Sequence, residues 1–191
     1  MVSRKSRLVA GNFRQGEKFM KLFVTGVNGQ LGHDVVNEAL ARGYEIIGSD
    51  IQETGAGNYV QLDITNKEAV EKIIAELEPD VIVHCAAWTA VDLAEDEDKR
   101  DKVYAINADG TANIASVCKE LDIPMVYIST DYVFNGEGTM PWEPDDRCFA
   151  PLNVYGQTKL QGELAEVLKQ EEETRAQVLR VFEELGYGIE L

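Results

Sequence analysis

Tyr155 and Lys159 stand four positions apart in the segment PLNVYGQTKLQGE, residues 151–163. If this segment is helical, the two side chains share one face, with Cβ atoms roughly 6 Å apart. An ammonium group beside a phenol stabilises the phenolate, so the spacing predicts that Lys159 lowers the pKa of Tyr155. Such a tyrosine can donate a proton to a carbonyl that receives a hydride. By itself the pair is a weak signal, and a solvated helix face explains it better unless other motifs support it.

A hydroxyl group that polarises the carbonyl should accompany the tyrosine and the lysine. A strand predicted over 125–130 ends in Ser129 and Thr130, at the carboxyl edge where open α/β sheets bind their ligands. Because neighbouring residues of a strand point to opposite faces, only one of these two hydroxyls can face the reacting carbonyl. The residues alone leave the choice between them open.

A glycine-rich turn near the start of the chain predicts a site for a dinucleotide. The segment TGVNGQLG places Gly26, Gly29 and Gly32 between a predicted strand and a predicted helix. Glycines at these places allow a tight turn, a close approach of the backbone to a pyrophosphate and close packing of helix on strand. The amides at the helix start then face the phosphates. An ordinary tight turn is the alternative.

Two aspartates follow the next strands. Asp50 ends the second predicted strand, 18 residues beyond Gly32, where a carboxylate accepts hydrogen bonds from the ribose hydroxyls and repels a 2′-phosphate. This slightly favours NAD(H) over NADP(H), although Arg42 nearby leaves both cofactors open. Asp63 is placed to bind the adenine amino group, with a turn or capping role as its alternative.

The elements that must position these residues alternate in type along the chain. Apolar runs predict strands over 21–25, 45–49, 59–62, 81–87, 125–130 and 177–180. Amphipathic stretches predict helices over 30–42, 66–77, 103–121 and 154–170. This β-α alternation predicts an α/β fold, a doubly wound parallel sheet of the Rossmann type with helices on both faces.

The composition narrows the classes of partner. The chain has 191 residues with a net charge of −16, and 45% are hydrophobic, which is typical of a soluble globular protein. Its acidity argues against nucleic acid as a partner. We expect no membrane span, no metal site from the spacing of the three cysteines, and a cytoplasmic protein with reduced thiols.

Four segments carry a family resemblance: TGVNGQLG, HCAAWTAVD, YISTDYVFNG and PLNVYGQTKLQGE. Together, and in this order, they resemble the extended short-chain dehydrogenase/reductase family over about residues 20–180. Within it they most resemble the reductases that convert dTDP-4-dehydro-L-rhamnose to dTDP-L-rhamnose with NAD(P)H, in the biosynthesis of cell-surface polysaccharides. The resemblance implies that Thr130 is the active hydroxyl, Tyr155 the proton donor and Lys159 its partner. Tyr132 stands where related dehydratases carry an acidic residue, which favours simple reduction.

The resemblance also implies the residues that bind the cofactor. Cys85, Ala86 and Ala87 match a small-residue loop beside the nicotinamide, and Asn107 matches an asparagine that supports the lysine. For Asn107 an internal polar role in a helix is the alternative. The whole expected cofactor-binding set is Gly26, Asn28, Gly29, Gln30, Leu31, Gly32, Asp50, Asp63, Ile64, Ala86, Ala87, Thr89, Asn107, Tyr155 and Lys159.

We expect three parts in the chain: a disordered or non-native extension over 1–19, the NAD(P)-binding domain over 20–180, and a divergent tail over 181–191, so that the substrate lobe is largely missing. The expected partner is a nucleotide-sugar, and a homodimer is possible. His33 and His84 favour surface or packing roles, and Trp88 and Trp142 either pack or line the sugar pocket. The alternatives for function are a non-catalytic NAD(P)-binding regulatory module and an epimerase or dehydratase acting on another nucleotide-sugar.

Overall fold

The computed structural model describes residues 20–53, 58–143, 146 and 148–167. The predictions for 1–19, 177–180 and 181–191 lie outside these residues. Within the described part of the chain, five parallel strands form one sheet in the order β3-β2-β1-β4-β5. They are β1 (Lys21–Thr25), β2 (Glu45–Asp50), β3 (Tyr59–Gln61), β4 (Val81–His84) and β5 (Met125–Tyr127).

Helices cover both faces of the sheet, which confirms the predicted doubly wound α/β fold. They are α1 (Gln30–Ala41), α2 (Lys67–Leu77), α3 (Glu97–Tyr104), α4 (Thr111–Leu121) and α5 (Val154–Val167). The Asn66 side chain caps α2 by accepting a hydrogen bond from the Ala69 amide at 3.1 Å, as the sequence predicts.

The central strand β1 divides the apolar core between the two faces. Its side chains alternate, so Leu22 and Val24 pack with α1 on one face and Phe23 packs with α2 and α4 on the other. All three are fully buried. This double burial explains why the strand is an uninterrupted apolar run in the sequence rather than an alternating one.

Two strands end earlier than the sequence predicts. β4 ends at His84 rather than residue 87, and β5 ends at Tyr127 rather than residue 130. The ladder stops because β1 turns away at Gly26, whose φ is +71°, and the last pairs are Thr25 with His84 and His84 with Tyr127. The residues beyond form loops at the carboxyl edge of the sheet.

The helix predicted over 103–121 begins earlier, at Glu97. Its first turns carry the charged run EDKRDK, which shows no apolar periodicity, and Val103 is the residue that α3 buries. A π-helical segment, Ala105–Gly110, joins α3 to α4. Such widened turns often occur at functional sites, and this one buries Asn107.

Candidate active site

Two adjoining cavities lie along the carboxyl edge of the sheet, with volumes of about 210 and 440 Å³. Gly26, Gly29, Cys85 and Ala87 line both of them, so they form one continuous cleft. The smaller cavity extends toward the ends of β2 and β3 and is lined by Asp50, Asp63, Ile64 and Ala86. The larger one extends toward α5 and is lined by Gln30, Leu31, Gly32, Thr89, Tyr155 and Lys159. Most of the expected site residues therefore border a single space.

The glycine turn is packed too tightly for side chains. A Cβ atom at Gly26 would lie 2.6 Å from the amide nitrogen of Ala86, and one at Gly32 would lie 2.3 Å from the carbonyl oxygen of Gly26. The first contact brings the turn against the loop after β4, and the second brings α1 against the turn that follows β1. The tight turn and the close packing of the helix agree with the glycine spacing, and the close approach to a pyrophosphate stays a prediction.

The N-terminus of α1 opens into the cleft. Gly29 precedes the helix in an extended conformation and provides no side-chain cap. The first turn of the helix carries no acidic residue. The first amides of a helix have no partner within it, and its dipole favours negative charge there. Gln30 and Leu31, which begin this helix, line the larger cavity. This end of the cleft is therefore suited to an anion such as a phosphate.

Asp50 is held at the edge of the smaller cavity by two backbone amides. Asn28 donates to its Oδ2 at 3.1 Å and Ile51 donates to its Oδ1 at 2.8 Å. Asn28 thus acts through Asp50, and the structure does not place it among the residues that line the cleft. The Arg42 guanidinium binds Glu38 at 2.7 Å on the last turn of α1.

Asp63 takes part in a turn as well as lining the cleft. Its Oδ1 accepts hydrogen bonds from the amide and the hydroxyl of Thr65, at 2.9 and 2.7 Å. The turn role that the sequence left open is therefore real, and it fixes the carboxylate at the cavity wall.

Tyr155 and Ser129 line the far end of the cleft, whereas Thr130 is not among the residues that line it. Thr130 follows β5 and begins a short 3-10 turn, with its hydroxyl accepting a hydrogen bond from the Tyr132 amide at 3.3 Å. The Thr130 hydroxyl donates to Asp131 Oδ1 at 3.3 Å, and its hydrogen-bonding effect on the Tyr155 hydroxyl acts to lower the pKa of that tyrosine. Ser129 instead donates to Glu163 Oε2 at 3.2 Å. Of the two hydroxyls that the sequence left open, Thr130 is the one that affects the pKa of Tyr155, and Ser129 is the one that lines the cleft.

The predicted effect of Lys159 on Tyr155 is wrong in direction. Burial raises the pKa of Tyr155, the hydrogen bond with Thr130 opposes this, and Tyr132 and Asp131 add to the increase. Although the i, i+4 spacing places both side chains on α5 and in the same cleft, the Lys159 amine donates to the Ile128 carbonyl. Desolvation therefore has the largest effect on the pKa of Tyr155, and the spacing of the residues alone cannot show it.

Lys159 itself is a buried cation, only 4% exposed. Its amine lies 4.2 Å from the centre of the Tyr127 ring, a cation–π contact. Burial lowers the pKa of Lys159 to about 8, while Cys85 and Glu163 act in the opposite direction. The Lys159 side chain therefore begins to lose its positive charge at a pH only slightly above neutral.

Asn107 connects the loop after β4 to α5. Its Oδ1 accepts from the Trp88 amide at 2.8 Å, and its Nδ2 donates to the Trp88 carbonyl and to Thr158, each at 3.1 Å. Thr158 donates in turn to the Tyr155 carbonyl at 2.8 Å. Asn107 therefore supports the helix that bears Tyr155 and Lys159, and its side chain makes its bonds to Trp88 and Thr158.

The structure also shows supporting residues that the sequence patterns do not indicate. Glu95 accepts a hydrogen bond from the Val154 amide at 2.7 Å, which ties the first turn of α5 to the loop after β4. Glu95 lies 59 positions from Val154, so no local pattern connects them. Glu163 could have been found, because it stands four residues beyond Lys159 on the same helix.

His84 forms a buried chain of hydrogen bonds beneath the cleft. The Ala86 amide donates to the Thr25 hydroxyl, which lies 2.7 Å from His84 Nδ1. His84 Nε2 lies 3.1 Å from the Thr111 hydroxyl, which donates to the Asn107 carbonyl. These directions are satisfied by a neutral imidazole with its proton on Nε2. The packing role that the sequence favours for His84 is therefore supported.

The titration of His84 should make the fold acid-sensitive. Burial and the charge of Lys159 lower the pKa of His84 from 6.5 to about 3. Between about pH 3 and pH 6.5 the unfolded chain therefore binds a proton at His84 that the folded chain does not bind. The stability that neutral His84 contributes is complete above pH 6.5 and is lost as the pH falls toward 3. In urea titrations we expect the free energy of unfolding of the wild type, relative to His84→Gln, to fall by about 1.4 kcal/mol per pH unit in this window. His33→Gln changes an exposed histidine and should show the same pH dependence of stability as the wild type. If the stability of His84→Gln varies with pH in parallel with that of the wild type, the expectation is contradicted.

The comparisons with known proteins agree with this geometry. The family model described as the RmlD substrate binding domain matches residues 20–186. The chain belongs to this family. This RmlD-family chain is 39% identical over 146 residues to the dTDP-4-dehydrorhamnose reductase of Mycolicibacterium smegmatis, over 76% of this chain and 41% of that protein. The resemblance to such reductases that the four sequence segments carry is therefore confirmed.

Solved structures show the same likeness for the RmlD-family chain. A dTDP-4-dehydrorhamnose reductase of Clostridium acetobutylicum matches with a TM-score of 0.70 and 40% identity, over 79% of this chain and 50% of the other. The Bacillus anthracis enzyme of that name, solved in complex with NADP, matches with a TM-score of 0.68 and 36% identity, over 81% of this chain and 51% of the other. The chain spans about half the length of these relatives.

The described residues form neither a membrane-spanning helix nor a cluster of metal-binding side chains. None of their helices has the length and apolar character needed to span a membrane. Across residues 20–53 and 58–143, together with 146 and 148–167, no group of three or more metal-binding side chains comes together.

Proposed function

We propose that this chain is the nicotinamide-binding part of a reductase that converts dTDP-4-dehydro-L-rhamnose to dTDP-L-rhamnose in nucleotide-sugar biosynthesis. The relatives named dTDP-4-dehydrorhamnose reductase support the substrate. One observation carries the proposal. The glycine turn, Asp50, Tyr155 and Lys159 line a single cleft, as a dinucleotide and its acceptor require, and Thr130 interacts with Tyr155. We also propose that the protein is cytoplasmic. The homodimer stays a prediction, which sedimentation analysis of the purified chain would test.

The shape and chemistry of the cleft fit a nicotinamide dinucleotide. At Gly26 and Gly32 the missing Cβ atoms let the turn pack against the backbone of Ala86 and of Gly26. This packing places the first amides of α1 beside the cleft, where a pyrophosphate would bind. Ser49 Oγ, which borders the smaller cavity, is buried and has no hydrogen-bond partner among the described residues, so it is available to a ligand. We propose that the α1 amides bind the phosphates, that Asp50 binds the ribose, and that Asp63 and Ile64 border the adenine.

The bound dihydronicotinamide would supply the hydride, and the chain's own residues would manage the proton. Because burial raises the pKa of Tyr155, its phenol stays protonated at neutral pH and is ready to donate. Thr130 acts on that phenol and would orient the substrate carbonyl oxygen. When Tyr155 gives up its proton, the Thr130 hydrogen bond and the nearby charge of Lys159 would stabilise the phenolate that remains.

The cofactor preference is a finer proposal, and Asp50 supports NAD(H). Its carboxylate would accept hydrogen bonds from both ribose hydroxyls and would repel a 2′-phosphate, while Arg42 is engaged with Glu38. We expect Asp50→Asn to weaken NADH binding about tenfold, the scale of a lost charged hydrogen bond, without weakening NADPH binding. Fluorescence titrations with both cofactors measure this, with Glu120→Gln on the exposed face of α4 as the control. Equal weakening of both cofactors would contradict the role of Asp50.

The proposed reaction is tested by mixing the purified chain with dTDP-4-dehydro-L-rhamnose and either NADH or NADPH. Oxidation of the reduced nicotinamide, followed by its absorbance, is the expected result. Nucleotide binding without turnover, together with a co-purifying partner, would instead indicate the regulatory module. No turnover with either cofactor would reject the catalytic proposal for this chain.

A further inference from the structure

Glu163 of α5 contacts a residue that lines the larger cavity. Its carboxylate accepts a hydrogen bond from the Ser129 hydroxyl at 3.2 Å. Ser129 lines the larger cavity together with Tyr155 and Lys159. Glu163 therefore fixes the loop that leaves β5 to the helix that carries the proton donor.

Glu163 also continues the stripe of functional side chains on α5. Tyr155, Lys159 and Glu163 follow one another at intervals of four residues, which places them on one helix face. That face is pressed against β5, because a Cβ at Gly162 would lie 2.4 Å from the Tyr127 hydroxyl. The same hydroxyl donates to the Lys159 carbonyl at 3.0 Å. The helix cannot rotate to move the stripe without breaking these contacts.

The surroundings of Lys159 show why a neighbouring carboxylate matters. The groups facing or bordering it from the packed elements are His84 and Cys85 at the end of β4, Tyr127 and the Ile128 carbonyl after β5, Asp34 of α1, and Tyr155 and Glu163 of α5. His84 is neutral, because its pKa is lowered to about 3 by burial and by Lys159 itself. Burial raises the pKa of the Cys85 thiol to about 11, so it too is neutral.

Few of the groups around Lys159 are therefore charged and able to influence its protonation. Burial disfavours its ammonium form, while Cys85 and Glu163 favour it. Of these two, the Cys85 thiol is neutral near pH 8 because its pKa is raised to about 11, so Glu163 is the one that carries a negative charge. Tyr155 adds no negative charge while its phenol is protonated, because burial raises its pKa. The carboxylate lies one helical turn from the lysine and is held by Ser129 on the side of the cleft.

We propose that Glu163 is a positioning residue that keeps Lys159 charged within its buried site and holds the Ser129 loop against α5. The inference rests on the proposed function only for what the charged Lys159 then does, namely binding the cofactor and stabilising the Tyr155 phenolate. Glu163 acts through Lys159 and Ser129.

The test is a titration of the lysine side chains by NMR, with 13Cε-labelled lysine in the full chain and no cofactor. The Lys159 signal is identified by its absence from Lys159→Met. In the wild type it should titrate near pH 8, well below ordinary lysines. Glu163→Gln keeps the shape but removes the charge, so we expect the Lys159 midpoint to fall by about half a pH unit or more.

Three further variants separate charge from shape. Glu163→Asp keeps the negative charge, and its midpoint should stay within about 0.2 of the wild type, which also covers the case in which Glu163→Gln does not fold. Ser129→Ala removes the hydrogen bond but no charge and should leave the Lys159 midpoint in place. Glu120→Gln on the exposed face of α4 is the matched control.

An unchanged midpoint in Glu163→Gln, or the same decrease in Glu163→Asp or Glu120→Gln, would overturn the inference. Because the titration needs neither cofactor nor substrate, it can succeed or fail independently of turnover. A chain that never reduces the sugar would still show the shift if Glu163 acts as proposed.

Discussion

Replacing Tyr155 by Phe is expected to reduce turnover about 10²–10⁴-fold while leaving nucleotide binding within about twofold of the wild type. The substitution removes the hydroxyl on which Thr130 acts and leaves the ring that packs edge-on against Tyr132, with the ring centres 5.7 Å apart. Steady-state rates with the keto sugar, together with a fluorescence titration of the cofactor, separate the two effects.

A matched control for Tyr155→Phe is available on the neighbouring helix. The Tyr104 hydroxyl donates to Gln157 of α5 at 3.1 Å, so Tyr104→Phe also removes one phenolic hydrogen bond that holds this helix. We expect Tyr104→Phe to keep most of the activity. If both variants lose activity equally, the effect of Tyr155→Phe comes from a disturbed helix and not from a lost proton donor.

Replacing Gly26 by Ala is expected to abolish nucleotide binding and to lower the free energy of unfolding by about 3 kcal/mol or more. Two physical effects add at this position. The backbone has a φ of +71°, which is unfavourable for a residue with a Cβ, and that Cβ would lie 2.6 Å from the Ala86 amide nitrogen. Because the opposing atoms belong to the backbone, no side chain can rotate to relieve the contact.

Gly136 provides the control for Gly26, because its φ is +72° and a Cβ there would meet nothing within 4 Å. Gly136→Ala should therefore show the conformational cost alone, about 1 kcal/mol, with nucleotide binding retained. Urea unfolding and cofactor titration of the two variants isolate the contribution of the close approach. Similar results for both would mean that the contact with Ala86 is unimportant.

The sequence predicts the fold well where one face or both faces of an element are buried. The apolar runs around Phe23 and Ile82 mark strands buried on both sides, and the alternation with helices defines the parallel sheet. The helix start at Glu97 is missed because α3 is mostly charged and buries Val103 alone. The ends of β4 and β5 are misplaced because a strand ends where its partner leaves the sheet, which a single segment cannot reveal.

The candidate site is predictable where its signal is local. Gly26, Gly29 and Gly32, and the spacing of Tyr155 and Lys159, are patterns within a few residues. The direction of the pKa change of Tyr155 is not predictable in this way, because it depends on burial by distant segments. The same holds for the bond of Glu95 to α5 and the chain through His84, which join residues far apart in sequence.

The most direct test of the central claim is the transfer of a deuterium label. The purified chain is mixed with NADH or NADPH deuterated at the transferable position and with dTDP-4-dehydro-L-rhamnose, and the product is examined by mass spectrometry. Wild-type protein should give dTDP-L-rhamnose heavier by one deuterium, carried at the reduced sugar carbon, and Tyr155→Phe should give almost none in the same time. A chain that binds the cofactor but transfers no label, or a Tyr155→Phe variant that transfers it at the wild-type rate, would contradict the account.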